Sequence, residues 1–284
     1  KIKEDFEMEI NSSTGKYKII GKNHEEYPDL PTISNSQNYT ILKEDLNDII
    51  NKTTFAASKD DLKPALCGIY LKINQKEITA VATDGHRLVK YNKKTTTENT
   101  TTGNIVVPVK FFTILKNQNN NKKEVGFEIG EDHIGATQGK TTVVSRIIKD
   151  SFPDFNSVIP KDTTNKAEIE ADNLINTLKR VSIFSNKTTK QASLSFVNNS
   201  IIVSTEDHET RAFAKEHIEC EYSGEEIKAG YNAQYLKEVI QHLFSDKVEM
   251  FLSGPLTAAI FKPKKEKEGC KHLALLMPLR STDQ

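Results

Sequence analysis

Apolar residues recur along this chain with two different periods, and each period predicts one kind of secondary structure. Leu46, Ile49, Ile50 and Thr53 share one face of a helix in the segment that begins at Tyr39. Alternation of apolar and polar residues predicts strands at 68–73, 78–84, 125–129, 134–137 and 141–148, with a second helix at 109–117. This segment therefore mixes helices with hairpin-forming strands.

The second half of the chain returns to the same order of elements. A helix aligns Leu174, Leu178 and Val181, and it is followed by predicted strands at 192–196 and 201–205, a helix at 233–244, and strands at 248–252 and 257–262. Thr83-Asp84-x-His86 is matched roughly 120 residues later by Thr205-Glu206-x-His208. Two copies of one α+β unit are present, and their hairpin-rich order favours antiparallel sheets with two helices per copy.

The first residues resemble only the last third of such a unit. Phe6–Ile10 and Tyr17–Ile20 alternate, and Tyr27-Pro-Asp-Leu-Pro31 is similar to the segment that begins at Phe152. We therefore predict three domains: an incomplete copy at 1–38, and complete copies at 39–164 and 165–284. Two strands alone cannot bury both faces of a sheet, so we expect this end of the chain to be poorly ordered.

Composition and charge narrow the classes of function. The 284 residues contain 39 Lys plus Arg and 39 Asp plus Glu, so any basic surface for nucleic acid must be local. No apolar run reaches the ~18 residues of a membrane helix, and the first residues lack the apolar core of a signal peptide, so we expect a cytoplasmic protein. The three cysteines show no C-x-x-C spacing, which indicates neither a disulfide framework nor a zinc site.

The common catalytic signatures are absent from the sequence. It contains no phosphate-binding G-x-x-x-x-G-K-[ST], no dinucleotide-binding G-x-G-x-x-G after a strand, no H-E-x-x-H and no G-x-S-x-G. Asp84 beside His86 and Glu206 beside His208 are pairs that suggest a general base, and a hydrolase that uses Asp84 and His86 is the alternative. Because Thr-Asp-Gly-His is typical of a turn, we expect a structural or binding role, with no catalysis, metal or cofactor.

Several apolar residues lie outside the regular pattern. They include Leu66, Leu88, Pro153 and Val158, together with the terminal run from Leu273 to Arg280. By pattern alone these residues belong to two separate domain cores. The terminal run is either a buried strand or a chain end that lies in a groove.

Three motifs, in this order and over repeated units, resemble one known family. They are Val81-Ala-Thr-Asp-Gly-His-Arg-Leu88, Ser151-Phe-Pro-Asp-Phe-x-x-Val-Ile-Pro160 and Met277-Pro-Leu-Arg280. The chain resembles the bacterial DNA polymerase III beta subunit, the replicative sliding clamp, over nearly its whole length. In that family two subunits of three similar domains close head to tail around duplex DNA, with helices inside and sheets outside.

The resemblance implies a non-catalytic processivity factor that binds DNA without sequence preference. It also implies docking of the replicative polymerase, the clamp loader and repair polymerases through short linear motifs. The implied peptide pocket comprises Leu66, Thr83, Gly85, His86, Arg87, Leu88, Pro153, Val158, Leu256, Ala258, Leu276, Met277, Pro278, Leu279 and Arg280. Ser157 stands where many members carry Arg, which predicts a less enclosed pocket and a lower affinity.

The resemblance also implies a DNA-facing set on the polar sides of the helices. This set is Lys52, Lys110, Lys116, Lys179, Arg180 and Lys237. Because the first domain is incomplete, we expect this chain to be a monomer, although the full-length protein forms a dimeric ring. The alternative is a clamp-like module that recruits peptides without closing a ring.

Overall fold

The computed structural model describes residues 6–95, 100–117, 123–197 and 199–279, and it divides into two units. The small unit is Lys1–Thr32 and the large unit is Ile33–Gln284. The division falls earlier than the predicted boundary after residue 38, because the strand β3 (Gln37–Leu42) pairs with a strand of the large unit.

The small unit contains an antiparallel hairpin with two chemically different faces. Its strands are β1 (Glu7–Asn11) and β2 (Lys16–Ile20). Met8 opposes Ile19 and Ile10 opposes Tyr17, so one face is apolar, and all four residues are at least 40% exposed. The alternating pattern predicted both strands.

The large unit contains two repeats of one order of elements. Repeat one contains α1 (Lys43–Thr53) and α2 (Val109–Lys116), and its strands are β3, β4 (Gly68–Ile73), β5 (Glu77–Thr83), β6 (Arg87–Lys94), β7 (Gly103–Pro108), β8 (Glu124–Ile129), β9 (His133–Gln138) and β10 (Thr141–Arg146). Repeat two contains α3 (Ala171–Val181) and α4 (Ala233–Gln241), and its strands are β11 (Asn165–Glu170), β12 (Gln191–Val197), β13 (Ser200–Asp207), β14 (Ala212–Glu219), β15 (Glu221–Ser223), β16 (Ile227–Asn232), β17 (Lys247–Leu252), β18 (Ala259–Pro263) and β19 (Cys270–Leu276). The predicted boundary at 164–165 falls immediately before β11.

The described strands form antiparallel sheets, and one sheet crosses from one repeat into the other. A four-stranded sheet has the order β10-β9-β8-β3 and another has the order β14-β13-β12-β16. The third, which we call the junction sheet, has nine strands in the order β15-β11-β17-β18-β19-β6-β5-β4-β7. Its continuity rests on β19 of repeat two, which pairs with β6 of repeat one from Cys270↔Lys93 to Leu276↔Arg87.

Each repeat buries the apolar faces of its helices between sheets. In repeat one Leu46, Ile49 and Ile50 of α1 are at most 3% exposed and belong to one core cluster with Phe111 and Phe112 of α2. In repeat two the predicted stripe of Leu174, Leu178 and Val181 is buried with residues of α4. The fold class predicted from the sequence is confirmed: repeated α+β units with antiparallel sheets and two α-helices in the described part of each repeat.

Several strands escaped the sequence prediction. They are β3, β6, β7, β11, β14, β15 and β16. β6 was missed because charged residues such as Lys90 and Lys93 interrupt the alternation of apolar and polar residues. Both side chains are only partly exposed on the sheet. The run that begins at Leu273 is a buried strand as far as Leu276. After it the chain is extended, and Leu279 pairs with Gly230. The two predicted alternatives thus follow one another along the chain.

Candidate functional site

The junction between β6 and β19 sorts neighbouring residues onto opposite faces of the sheet. Leu88 lies opposite Leu275, and both side chains belong to one small cluster with Val81 and Ile260. Leu276 points to the other face, where it is 1% exposed in the core of repeat two. Because side chains alternate along a strand, Leu275 rather than Leu276 shares a surface with Leu88. The predicted assignment of Leu276 to the pocket is therefore wrong.

The segment that begins at Ser151 crosses this face of the junction sheet. Phe152, Phe155 and Ile159 pack against the cluster of Leu88 and Leu275. The rings of Phe152 and Phe155 lie 5.2 Å and 5.6 Å from that of Tyr70. These contacts hold the segment in place, so that Pro153 and Val158, both exposed, stand at its outer edge.

The remaining predicted residues of repeat two differ in their exposure. Leu256 is 64% exposed, whereas Ala258 is only 6% exposed next to β18. In repeat one, Leu66 is half-buried in a short 3-10 turn, Pro64–Cys67, and its place beside the pocket stays a prediction. Arg280 lies outside the described residues.

The turn between β5 and β6 is built by its own side chains. The Thr83 hydroxyl donates to the Arg87 carbonyl oxygen at 2.6 Å and accepts from the Gly85 N–H at 3.1 Å. The Asp84 carboxylate accepts the backbone N–H groups of His86 and Arg87 at 2.9 Å and 3.0 Å. Gly85 has φ +90, a backbone conformation that is strained for any residue with a side chain. Asp84 is thus a turn-capping residue, which argues against the hydrolase alternative.

A groove of about 790 Å³ opens beside this turn. Four residues of the predicted pocket line this groove: His86, Met277, Pro278 and Leu279. Two backbone hydrogen bonds hold residues 277–279 there: Met277 N–H to the His86 carbonyl oxygen and Leu279 N–H to that of Gly230, both 2.8 Å. These three residues therefore form a fixed wall of the groove.

Two further groove residues were missed by sequence reasoning. Asn232 and Tyr235, at the start of α4, line the same groove. The Asn232 side chain caps the helix by accepting the N–H groups of Gln234 and Tyr235 at 3.0 Å and 3.1 Å. An Asn before an apolar helical stripe is a recognisable start signal, but only the fold brings it next to His86, whose ring centre lies 6.2 Å from that of Tyr235.

Arg87 does not present its guanidinium group to the groove. The residue is 7% exposed, and its Nε, NH1 and NH2 groups donate to Asp84, Glu238 and the Phe55 carbonyl oxygen. Burial opposes ionisation of Glu238, yet the hydrogen bonds from Arg87 and Gln234 lower the pKa of its carboxyl group. Arg87 thus links the two repeats and also lines a neighbouring depression with His86 and Tyr235, and its contact with a bound peptide stays a prediction.

Two of the predicted DNA-facing residues already have partners within the protein. Lys52 is 8% exposed, with its Nζ 3.5 Å from an Asp48 carboxylate oxygen and 4.4 Å from the centre of the Tyr91 ring. Arg180 is exposed but its Nε donates to Glu216 at 2.9 Å, and its NH2 pairs with the same carboxylate. The other four differ: Lys110, Lys116 and Lys179 are exposed, and Lys237 is partly exposed.

The described residues contain no group of three or more His, Cys, Asp or Glu side chains placed to hold a metal ion. The helices in the described ranges are all too short or too polar to span a lipid bilayer.

Comparison with known proteins matches each repeat to a domain of one family. Residues 40–154 match the central domain of the DNA polymerase III beta subunit, and residues 156–280 match its C-terminal domain. The chain belongs to the DNA polymerase III beta subunit family. The resemblance drawn from the three sequence motifs is therefore confirmed.

Relatives within the beta subunit family share the fold at low sequence identity. The beta sliding clamp of Chlamydia pneumoniae is 24% identical over 275 residues, which cover 97% of this chain and 74% of the relative. That of Pseudomonas aeruginosa is 27% identical over 256 residues, or 89% of this chain and 69% of the relative. The crystal structure of the Pseudomonas aeruginosa subunit superposes with a TM-score of 0.88 at 24% identity, covering 99% of this chain and 76% of that one.

Proposed function

We propose that this chain is part of a sliding clamp, which confers processivity on the replicative DNA polymerase without catalysing a reaction. The observation that supports this most strongly is the match of both repeats, in order, to the central and C-terminal domains of the beta subunit family. The clamp retains duplex DNA by encircling it. It docks the polymerase, the clamp loader and repair proteins through short linear motifs.

The peptide site in this proposal lies at the junction of the repeats. Its apolar floor is the cluster of Leu88 and Leu275, its rim includes Val158, and its second part is the groove lined by His86 and Met277. Each Leu or Phe side chain that a peptide buries here contributes about 1.5–3 kcal/mol. Two such anchors with backbone hydrogen bonds, less the cost of ordering the peptide, give a Kd of roughly 1 μM, or about 8 kcal/mol.

Titration of a fluorescently labelled Gln-Leu-x-Leu-Phe peptide tests the site. Val158 and Met277 are suitable for substitution because they are 52% and 46% exposed, so changing them spares the core. We expect Val158→Asp with Met277→Asp to abolish binding, whereas Leu62→Asp, at a site that is 90% exposed, leaves the affinity unchanged. No binding by the unmodified chain at ~1 mM, which corresponds to only about 4 kcal/mol, would contradict the proposal.

The DNA-facing surface in this proposal consists of Lys110, Lys116, Lys179 and Lys237. They are at least partly exposed, on α2, α3 and α4. A sliding ring needs contacts to phosphates rather than to bases, so binding depends on salt and not on sequence. Replacing the four lysines with Gln should flatten the slope of log K against log salt concentration for duplex DNA. Arg180→Gln is the matched control, because Arg180 is paired with Glu216.

Ring closure in this proposal needs two complementary surfaces on each subunit. One candidate is the edge strand β14, beside the turn Ser182–Phe184, in which Ile183 is 77% and Phe184 43% exposed. The complementary surface belongs to the first domain, whose described part here is the hairpin β1–β2. We therefore propose that this 284-residue chain alone is a monomer near 31.9 kDa in light scattering. A stable dimer of the chain would contradict this. Peptide binding by the monomer fits both this proposal and the alternative of a recruitment module, whereas only the clamp also requires the contacts to DNA.

A further inference from the structure

A cavity of about 280 Å³ is lined by residues of both repeats and is separate from the peptide site. Its lining includes Cys270 at the start of β19, whereas Leu276, at the other end of β19, pairs with Arg87 beside the peptide groove. At about 3.3 Å per residue, these two ends of the strand lie roughly 20 Å apart. We call it the hairpin cavity, because the connection between β18 and β19 forms one of its walls. The lining residues that matter most are Asp48, Lys52 and Tyr91 of repeat one and Phe244, Lys265 and His272 of repeat two.

His272 lines the hairpin cavity with unsatisfied ring nitrogens. The residue is 4% exposed, and among the described residues neither Nδ1 nor Nε2 has a hydrogen-bond partner. Burial lowers the pKa of His272 to about 3, so the ring is neutral and offers one N–H donor and one acceptor. A buried polar group without a partner is costly, so a ligand that supplies the missing hydrogen bond gains on binding. A nucleobase edge carries donors and acceptors side by side, as in N6 and N7 of adenine, and can therefore meet either ring nitrogen.

Phe244 adds an exposed aromatic ring to the same lining. It follows α4, is 61% exposed, and has φ +50. A bulky residue in this left-handed region is strained, and observed strain of this kind points to a functional constraint. The ring makes a T-shaped contact with that of His242, with 5.9 Å between the ring centres. An exposed ring that lines a cavity is a platform on which a base can stack.

The charges around the cavity favour an anionic group. Lys52, Lys265 and Lys267 line it together with Asp48 and Glu266, three cations against two anions. Lys52 and Lys267 share one carboxylate, since the Nζ of each lies 3.5 Å from Oδ2 of Asp48. The exposed side chain of Lys265 has no partner in the part of the chain that the structure describes. Its ammonium group is therefore available to a phosphate.

We propose that the hairpin cavity binds a nucleotide, with its base stacked on Phe244 and hydrogen-bonded to His272, and its phosphate paired with Lys265. The volume lies just below the usual range of small-molecule sites, about 300–1,000 Å³, and so suits one base rather than a larger ligand. The nucleotide is free or belongs to a single strand, because duplex DNA keeps its bases stacked and paired. The site requires neither the proposed peptide site nor ring closure.

Titrations of the unmodified chain with deoxyadenosine monophosphate, a short single-stranded oligonucleotide of deoxyadenosine and inorganic phosphate test the ligand class. We expect the nucleotide or the oligonucleotide to bind with a Kd below ~1 mM, and inorganic phosphate to bind at least about tenfold more weakly. Tighter binding of the oligonucleotide would identify an unpaired nucleotide within a strand, and tighter binding of the monophosphate a free nucleotide. Phosphate that binds as tightly as both, or no binding of either nucleotide ligand at ~1 mM, would overturn the proposal.

Three variants test the named contacts. Phe244→Ala removes the stacking surface and His272→Phe removes both hydrogen-bonding atoms, and each should weaken nucleotide binding about tenfold. Lys265→Gln removes an exposed charge and should weaken it about threefold. Lys264→Gln is the matched control, because this neighbouring exposed lysine is paired with Glu168 and should leave the affinity unchanged.

A spectroscopic readout places the ligand without relying on a variant of the core. In protein with nitrogen-15 in its histidines, the ring signals of His272, assigned with His272→Phe, should shift when nucleotide is added, while those of the exposed His208 stay in place. Phe244→Ala, at an exposed position, serves as the variant if His272→Phe does not fold. Nucleotide binding that survives Phe244→Ala combined with Lys265→Gln, or that leaves the His272 signals unmoved, would overturn the proposal.

Discussion

A buried histidine makes the stability of this fold depend on pH in a way that can be measured. His272 lies on β19 opposite Tyr91 of β6, is 4% exposed, and has its ring 5.6 Å from that of Tyr91. Within the described residues neither of its ring nitrogens has a hydrogen-bond partner. Burial, with smaller contributions from Lys52 and His242, lowers the pKa of His272 to about 3. The folded protein therefore keeps this imidazole neutral.

The direction and size of the effect follow from this difference in pKa. In the unfolded chain the histidine has a pKa of about 6.5 and takes up a proton as the pH falls below that value, whereas the folded chain does not until about pH 3. The contribution of the neutral His272 to the stability of the fold is therefore present above pH 6.5. It is lost as the pH falls from 6.5 towards 3. The linkage relation gives a loss of about 2 kcal/mol between pH 7 and pH 5 from this residue alone.

Urea unfolding at pH 7 and pH 5 measures this loss. The unmodified chain should lose about 2 kcal/mol more than His272→Gln, which is similar in size and cannot be protonated in this range. His208→Gln is the control, because that side chain is 72% exposed. Equal losses in the unmodified chain and in His272→Gln would refute the reasoning. The reasoning would also be refuted if His208→Gln removed the loss of stability between pH 7 and pH 5.

Three further outcomes are expected. Leu276→Ala should cost about 2–5 kcal/mol in urea unfolding, because it opens a cavity in the core of repeat two, yet should leave peptide affinity unchanged in the folded fraction. Lys52→Met should leave the salt dependence of DNA binding unchanged in titrations, since this lysine is buried beside Tyr91. Gly85→Val should lower the melting temperature by an amount that corresponds to about 1–2 kcal/mol, because φ +90 strains a β-branched residue.

Much of the fold could be predicted from local pattern. The helices α1 and α3 followed from apolar stripes with a period near 3.6, and the strands β4 and β12 from alternation, since both kinds of element bury one face against a core. Among the strands that escaped prediction, β6, β11 and β14 carry charged side chains that interrupt the apolar alternation. β6 is the clearest case: Lys93 pairs with Asp45 at 2.8 Å, so its charge is neutralised by a residue far away in the sequence.

Only part of the candidate peptide site could be predicted from the sequence pattern. His86, Met277 and Pro278 were predicted and line one groove, whereas Tyr235 and Asn232 were missed because their motif is that of an ordinary helix start. Lys52 and Arg180 were assigned to the DNA-facing set because they lie on polar helix positions. Their partners, Asp48 with Tyr91 in one case and Glu216 in the other, are visible only in the folded chain.

The sequence by itself determined the repeat, the class of fold and the family, because periodicity and short motifs are properties of neighbouring residues. The tertiary structure alone decided which face each residue of the terminal strand presents, since the pairing of β19 with β6 sets Leu275 beside Leu88 and sends Leu276 into the core. It also decided that Arg87 links the repeats. Register across a sheet, and the partner of a buried charge, depend on contacts between segments that are far apart in the chain.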